Sequence, residues 1–354
     1  MSKLFAPIDL RSLQIRNRIF VSPMCQYSCI NGIPTNWHLV HYGSRAVGGA
    51  GLVMVEATAV TPEGRISPSD CGLWSDQQAA AFKPIAEFIS QQGAVPGIQL
   101  AHAGRKASTE APWQGGKSVA PENGGWQPVA PSPLAFAEGM PVPTELNEAE
   151  IERISDAFFA AATRALNAGF KTVEVHMAHG YLLHQFFSPL TNKRADQYGS
   201  SLENRLRFPL QVAERIRKFW PDELPVLVRI SATDWAENGW DLEQSIELCG
   251  KLKEIGIDLI DCSTGGLIPD AVIPAAPGFQ VPMAAEIKQK VDMPTGAVGL
   301  ITEPEQAEQI VANGQADVVL LARELLREPH WPLRAARALQ VKVPWPVQYE
   351  RAKN

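Results

Sequence analysis

Short runs of apolar residues recur along the chain, and several are apolar almost throughout. They predict eight β-strands, at residues 18–21, 51–55, 97–100, 172–176, 226–230, 259–262, 295–298 and 317–321. Runs of this kind are typical of parallel strands covered by helices, because both faces of such a strand are buried.

Segments with helical periodicity lie between these strands. Asn147 followed by Glu150 resembles a capping box, and Gly169 marks the end of the helix that it opens. Residues 242–255 form a second such segment, which Gly256 ends. A strand followed by a helix, repeated eight times, favours an α/β fold of the (β/α)8 barrel type (a TIM barrel) over two doubly wound domains.

One connection is too long for an ordinary loop. Residues 102–146 are rich in Pro, Gly and Trp and follow the third predicted strand. We interpret them as an excursion from the barrel. Since no linker divides the chain, we expect residues 1–354 to form a single barrel domain.

Composition narrows the functional class. The chain is 45% hydrophobic and 20% charged, which is ordinary for a globular enzyme. Its net charge is -6 and it has no run of Lys and Arg, so we expect neither a nucleic acid nor a membrane surface as partner. No segment approaches the roughly 20 apolar residues of a membrane helix. The N-terminus reaches Pro7 before any signal-peptide core, which predicts a cytoplasmic protein.

The five cysteines form an odd set without a Cys-x-x-Cys motif. This pattern favours reduced thiols over disulfides or structural zinc. Cys25 and Cys29 are the only pair that is close in the sequence.

Two histidine pairs share the spacing His-x-x-His. His38 and His41 lie where the first helix is predicted to begin, and we interpret them as structural. His176 and His179 end the fourth strand and are followed by Gly180 and Tyr181.

Active sites of (β/α)8 barrels lie at the carboxyl ends of the strands, which favours a catalytic role for the second pair. Two imidazoles can bind an oxygen that becomes negative, and a phenol can supply a proton. Two alternatives stay open for His176 and His179: buried hydrogen-bonding residues, and a metal site that includes Glu174 on the same strand face.

Three further polar residues lie on or after predicted strands. Arg229 interrupts an apolar strand, so it requires either an electron-rich ligand or a buried carboxylate. Gln99 could offer its amide to a ligand or bond to neighbouring backbone. Arg323, after the last strand, could bind phosphate or form a surface ion pair.

Motifs for other cofactors are missing from the sequence. No Gly-x-Gly-x-x-Gly follows a strand, so a Rossmann-type site is not supported. Gly116-Lys117-Ser118 resembles the end of a Walker A loop, but Ala111 stands where its first glycine should be. There is no His-Glu-x-x-His, and we expect no metal to be bound.

Several motifs occur in an order that resembles one known family. They are residues 22–27 (Ser-Pro-Met-Cys-Gln-Tyr), 102–106 (His-Ala-Gly-Arg-Lys), 176–181, 185–189 and 192–199. With Cys25 and the C-terminal Gln-Tyr-Glu-Arg at 348–351, they resemble the thermophilic-like subgroup of the Old Yellow Enzyme family, which includes NADPH dehydrogenases and xenobiotic reductases. The resemblance covers essentially the whole chain.

The resemblance implies an FMN-dependent ene-reductase on a (β/α)8 barrel. NADPH or NADH would reduce the bound FMN and leave, and an α,β-unsaturated carbonyl compound or a related activated alkene would then take the hydride in the same pocket. The kinetics would be ping-pong. A homodimer or homotetramer is implied as well, with a tail of about residues 340–354 that could reach a neighbouring subunit.

The resemblance also implies residue roles. The flavin ring would be lined by Ser22, Pro23, Met24, Cys25, Ala57, Gln99 and Arg229. Its phosphate would be bound by Gly299, Leu300, Ala322 and Arg323. His176 and His179 would hold the substrate carbonyl. The other substrate-side residues would be Tyr27 in the pocket wall, Tyr181 as proton donor and Arg351 from a neighbouring subunit.

Overall fold

A computed structural model describes residues 2–353, and within them eight parallel strands close into a barrel. The strands are adjacent in chain order, and the last pairs with the first. Their bounds are Ile19–Val21 (β1), Leu52–Ala59 (β2), Val95–Ala101 (β3), Thr172–Met177 (β4), Val226–Ser231 (β5), Leu259–Ser263 (β6), Thr295–Ala297 (β7) and Val318–Leu321 (β8). Each overlaps one of the predicted strands, so the predicted fold class is confirmed.

Helices follow the strands on the outside of the barrel. Their bounds are Asn36–Val47 (α1), Asp76–Gln91 (α2), Glu148–Asn167 (α3), Leu182–Phe187 (α4), Leu202–Phe219 (α5), Leu242–Ile255 (α6), Val281–Val291 (α7), Pro304–Ala312 (α8), Arg323–Arg327 (α9) and Trp331–Ala338 (α10). The predicted capping box is present, because the Asn147 side chain accepts from the Glu150 amide and the Glu150 carboxylate accepts from the Asn147 amide. The helix α6 ends at Gly256, which adopts a left-handed conformation.

The second strand is longer than predicted and contains a bulge. The apolar run suggested an end at residue 55, but β2 continues to Ala59, and its register with β3 shifts between Val55 and Ala57. The extra residue is Glu56, which is fully buried and accepts a hydrogen bond from the hydroxyl of Tyr42 on α1. A bulge redirects a side chain in this way. A partner on another element therefore stabilises a charge that interrupted the sequence pattern.

A hairpin covers one end of the barrel. Ile8–Leu10 pairs with Leu13–Ile15, and its apolar residues pack in one cluster with residues near the amino ends of the strands, including Leu52 and Leu259. This packing covers the amino-terminal end. The carboxyl ends of the strands, where barrel enzymes bind their ligands, stay available for a site.

The segment 102–146 forms the predicted excursion after β3. It contains short 3-10 turns and a small parallel sheet of Val129–Ala130 and Thr144–Glu145. The indole of Trp126 donates to the carbonyl of Glu63, in the loop after β2. The excursion therefore lies over the carboxyl-terminal side of the barrel.

Across residues 2–353, no helix combines the length and the apolar character that crossing a membrane requires.

Candidate active site

The chain turns sharply just after β4. His179 and Gly180 both have left-handed backbone conformations, with φ of 57° and 72°. A Cβ at Gly180 would lie 2.2 Å from the carbonyl oxygen of Gly266, so only glycine fits this close approach. Lys106 Nζ donates to the carbonyl oxygens of both His179 and Gly266, at 2.9 and 2.8 Å. The turn is thus held in place by its neighbours on two other loops.

This turn brings the predicted catalytic trio together. The His176 ring lies 5.3 Å from the His179 ring and 5.0 Å from the Tyr181 ring, edge to face in both cases. His179 Nε2 is 2.7 Å from the hydroxyl of Ser263. The Nδ1 atom of His176 is buried and has no hydrogen-bond partner within residues 2–353. An unpartnered buried ring nitrogen is a position where a ligand can bond.

Burial sets the protonation of the trio. It lowers the pKa of His176 and His179 well below the usual value, and the nearby Arg229 guanidinium lowers both further. Burial raises the pKa of Tyr181 well above its usual value. At neutral pH the histidines are therefore neutral and the tyrosine keeps its proton. The trio can offer N–H and O–H donors without carrying charge.

The charged side chain of Arg229, on β5, lies beside the trio and between the neighbouring strands β4 and β6. Arg229 pairs in register with His176 and with Asp261, and its Nε lies 3.0 Å from Asp261 Oδ2. Arg229 thus has a buried carboxylate next to it, which is one of the two environments that the sequence required. Burial raises the pKa of Asp261, although the nearby Arg229 opposes the shift, and Arg229 Nε makes no hydrogen bond of good geometry within residues 2–353. The arginine stays able to act on a ligand as well.

Gln99 bonds to a side chain and not to neighbouring backbone. Its Nε2 donates to Glu174 Oε1 at 2.7 Å, across the paired strands β3 and β4. Burial raises the pKa of Glu174, and the nearby Asp261 raises it further. Glu174 therefore serves as the hydrogen-bond acceptor that holds the Gln99 amide.

The metal alternative finds no support in this geometry. Throughout the described part of the chain, one set of three His, Cys, Asp or Glu residues has ligand atoms within 4.8 Å of one another, and it consists of Cys29, His38 and Cys71. Glu174, His176 and His179 do not form such a set, and Glu174 Oε1 accepts a hydrogen bond from Gln99.

The loop after β1 supplies the next group of predicted residues. Ser22 is buried, its amide donates to the carbonyl of Leu321 on β8, and its hydroxyl has no partner within the described residues. Cys25 lies against the backbone of Ala57 on β2, and burial raises the pKa of its thiol. Pro23, Met24 and Tyr27 are half-buried. The Tyr27 ring packs edge to face against Trp113 of the excursion, at 5.5 Å.

The loops after β7 and β8 meet at a cavity of about 270 Å³. Its lining includes all four residues of the predicted phosphate site, Gly299, Leu300, Ala322 and Arg323. Gly299 has a φ of 118°, a conformation that favours glycine. Arg323 makes no ion pair within residues 2–353, so the surface ion pair considered for it is not observed. The loops therefore leave room and a free guanidinium for an anion.

The sequence pattern did not single out two polar residues that lie near the carboxyl ends of the strands. Ser263 follows the apolar part of β6, and the criterion that singled out His176, a polar residue at the carboxyl end of a strand, would have found it. Gln280 Oε1 accepts from the hydroxyl of Thr264 at 2.7 Å, and its amide donates to the carbonyl of Val298. Because Gln280 lies outside any strand, just before α7, no sequence signal marks it.

Arg351 lies apart from the buried histidines. It is exposed in the 3-10 turn Val347–Ala352. The tail folds back on its own chain there, and the Tyr349 ring lies 5.7 Å from the ring of His330.

The donor set fits FMN. The unpartnered hydroxyl of Ser22, the amide of Gln99 and the guanidinium of Arg229 are buried polar groups of the kind that a polar heterocycle requires. The cavity beside Gly299 and Arg323 has room for a phosphate and a free guanidinium to pair with it.

Comparisons with known proteins agree with this geometry. A family model described as the NADH:flavin oxidoreductase / NADH oxidase family matches residues 3–342. The chain is 46% identical over 350 residues to an NADPH dehydrogenase from Geobacillus thermodenitrificans (strain NG80-2), covering 98% of each protein.

Two solved structures have the same fold. Morphinone reductase is 29% identical, with a TM-score of 0.79, and the match covers 98% of this chain and 91% of that protein. A 2-naphthoyl-CoA reductase complex is 28% identical, with a TM-score of 0.87, and the match covers 95% of this chain but 52% of that protein. The chain thus spans about half the length of the second reductase.

Proposed function

The chain belongs to the NADH:flavin oxidoreductase / NADH oxidase family, and from that premise we propose that it is an FMN-dependent ene-reductase. It takes a hydride from NADPH or NADH and reduces the C=C bond of α,β-unsaturated carbonyl compounds and related activated alkenes. The name NADPH dehydrogenase of the relative with 46% identity supports a nicotinamide donor, and the name reductase of the similar structures supports the direction of the reaction.

One observation carries this proposal. Two neutral imidazoles and a protonated phenol lie together at the carboxyl end of β4, next to Arg229. A site that reduces a conjugated C=C bond must stabilise the carbonyl oxygen as it gains negative charge and must deliver one proton. This group of side chains can do both.

The cofactor proposal assigns binding roles to this chain's own residues. Bound FMN supplies a ring that accepts a hydride and passes it to another molecule. Arg229 stabilises negative charge on that ring, since an opposite charge nearby favours the charged form. The ring is lined by Ser22, Pro23, Met24, Cys25, Ala57 and Gln99, and the phosphate is held by Gly299, Leu300, Ala322 and Arg323.

His176 and His179 donate hydrogen bonds to the substrate carbonyl oxygen. One preorganised donor to such an oxygen is worth about 10² to 10³ in rate. Tyr181 protonates the carbon next to the carbonyl, and Tyr27 forms part of the pocket wall. Because the imidazoles are neutral, they can donate without repelling Arg229.

The visible absorption spectrum of the purified protein tests the cofactor and the reaction together. We expect a flavin spectrum that bleaches under anaerobic NADPH and returns when cyclohexenone is added, and NADH in a parallel sample compares the two donors. Colourless protein that cannot be reconstituted with FMN would contradict the proposal. Protein that binds FMN but does not oxidise either nucleotide would be a phosphate-ligand binder without this activity.

We also propose a homodimer or homotetramer in which Arg351 completes the site of a neighbouring subunit. Its exposure in the turn Val347–Ala352 leaves the guanidinium available for such a contact. We expect Arg351→Ala to raise the KM for the alkene in the assembled protein, whereas Lys353→Ala, two residues further on, should leave it unchanged. A KM that does not respond to Arg351→Ala would rule out the shared site.

A further inference from the structure

Two cysteines that are distant in the sequence lie in contact. Cys29 lies in the loop after β1, Cys71 lies in the loop after β2, and their sulfur atoms are 2.7 Å apart. Both are buried. The two segments are joined by backbone hydrogen bonds on either side, from Cys29 to Ser69 and from Gly72 to Gly32, each at 2.9 Å. The thiols are therefore held against each other by the fold.

A histidine stands beside this thiol pair. His38 Nε2 lies 3.4 Å from Cys29 Sγ, while its Nδ1 accepts a hydrogen bond from the amide of Thr35 at 2.9 Å. Because Nδ1 accepts this bond in the neutral ring, the proton of that form is on Nε2, and the charged ring carries a proton on Nε2 as well, so Nε2 can donate to the sulfur in either form. His38 Nε2 is also 3.4 Å from Glu56 Oε1, and that carboxylate holds the ring in place.

The environment makes the two thiols unequal. The hydrogen bonds from Cys71 and then from His38 lower the pKa of Cys29, although burial opposes them. Burial raises the pKa of Cys71 well above its usual value. A thiolate beside a protonated thiol is the arrangement in which one sulfur attacks an oxidant and the other resolves the product.

From the contact and its histidine neighbour we propose that Cys29 and Cys71 form a reversible disulfide when the protein meets hydrogen peroxide. The Cys29 thiolate attacks one peroxide oxygen and breaks the O–O bond; with one proton taken up, the products are a sulfenic acid and water. The Cys71 sulfur then displaces the sulfenic oxygen, which leaves with the Cys71 proton as a second water. Two thiols lose two electrons, and the peroxide gains them.

A metal at the same residues is the competing assignment. Structural zinc sites are almost always tetrahedral, with four protein ligands. Within residues 2–353 this cluster provides three ligand atoms. The geometry therefore favours sulfur–sulfur chemistry.

A disulfide between Cys29 and Cys71 would constrain the loop after β1, which contributes residues to the proposed flavin site. Glu56 accepts hydrogen bonds from the amide of Gln26, next to Cys25, and from the hydroxyl of Tyr42, both at 2.8 Å. The thiol pair is thus connected to this loop through His38 and Glu56. A disulfide would tie the loops after β1 and β2 together and constrain the unfolded chain, which raises the Tm.

Peptide mass spectrometry of peroxide-treated holoenzyme tests the proposal. Cleavage after Tyr27 separates Cys25 from Cys29, so a linked pair of peptides identifies its cysteines. We expect a Cys29–Cys71 peptide pair that is two hydrogen atoms lighter than its parts, three free thiols in place of the five cysteines, and recovery of all five with dithiothreitol. The oxidised protein should melt several degrees higher than the reduced one.

Two variants provide the controls. Cys71→Ser should abolish the linked peptide and the shift in Tm, whereas Cys249→Ser, at a buried cysteine on α6, should keep both. The proposal is overturned if Cys29 is oxidised but never linked to Cys71, if Cys25 forms the link instead, or if a stoichiometric metal ion protects the thiols. The mass spectrum of the wild-type peptides decides the question even if Cys71→Ser does not fold. None of these results depends on alkene reduction.

Discussion

The chain contains the spacing His-x-x-His twice, and the two copies have opposite environments. His38 and His41 are on the helix α1, packed against the loops after β1 and β2. His176 and His179 straddle the end of a strand, and the second of them has a left-handed backbone conformation. The same three-residue separation thus lies within a helix in one pair and spans the end of a strand and the following turn in the other.

The difference lies in what each ring contacts. In the helical pair, His38 is bonded to Thr35 and lies beside Cys29 and Glu56, all of them within the fold. In the second pair, the Nδ1 atom of His176 has no partner among residues 2–353. His41 Nε2 is also buried without a partner there, so the two pairs differ in their neighbours. His38 connects loops, whereas the rings of His176 and His179 lie together with Tyr181 at the carboxyl end of β4. Secondary structure decides this, because a helix directs residues three apart to one face while a turn after a strand directs them into the site.

The largest expected effect separates the pairs by activity. Replacing His176 and His179 together by Ala should lower the rate of enone reduction by more than about 10³, since each removes a donor to the substrate oxygen. Flavin absorbance of the purified variant should be retained. Anaerobic reduction of cyclohexenone by the reduced variant measures the loss, and full turnover would refute the roles assigned to both histidines.

The next effect concerns the proton. Tyr181→Phe keeps the ring beside His176 but removes the hydroxyl, so reoxidation of the flavin by an enone should slow by about 10². Reduction of the flavin by NADPH should change little, because that step needs no proton from Tyr181. Stopped-flow measurement of the two half-reactions distinguishes them, and equal slowing of both would show that Tyr181 acts on binding instead.

The helical pair should respond in stability and not in chemistry. His38→Ala removes a side chain that contacts Cys29 and Glu56 and should lower the free energy of unfolding by about 2 kcal/mol. Urea unfolding measures the loss, and turnover per bound flavin should stay close to that of the wild type. A variant with unchanged stability but impaired turnover would reverse the distinction drawn between the two pairs.

The last effect is a pH dependence of opposite sign within the helical pair. Burial lowers the pKa of His41 to about 3, so below pH 6.5 the unfolded chain takes up a proton that the folded chain does not, and stability falls toward pH 3. For His38, burial is outweighed by the hydrogen bonds with Cys29 and Glu56, and its pKa rises to about 9.

The contribution of His38 is therefore complete below pH 6.5 and is lost as the pH rises through 9. Thermal unfolding from pH 4 to 10 measures both limbs. His41→Gln should flatten the acid limb and His38→Gln the alkaline limb. Identical profiles for the two variants would contradict the assignment.

Much of the barrel could be predicted from the sequence, because a strand buried on both faces has a recognisable apolar run. All eight strands were found in this way, although β2 extends to Ala59 past the buried charge of Glu56. The sequence pattern does not reveal that the hydroxyl of Tyr42 donates a hydrogen bond to Glu56. The predicted phosphate-site residues line one cavity, and His176, His179 and Tyr181, for which we propose catalytic roles, lie together.

Contacts between distant segments could not be predicted. Cys29 and Cys25 are the close pair in the sequence, yet the thiol in contact with Cys29 is Cys71, 42 residues away. The pairing of Gln99 with Glu174 depends likewise on two strands being neighbours.

The sequence by itself determined the periodicity of strands and helices, and with it the barrel and the rim on which polar residues gather. These are local properties, since burial of one face or both is written into the order of apolar and polar residues. The tertiary structure alone decided which thiol meets Cys29 and that the Gln99 amide bonds to Glu174. Such contacts depend on how separate segments pack, and packing is set by the shape of the whole core and not by the spacing of any motif.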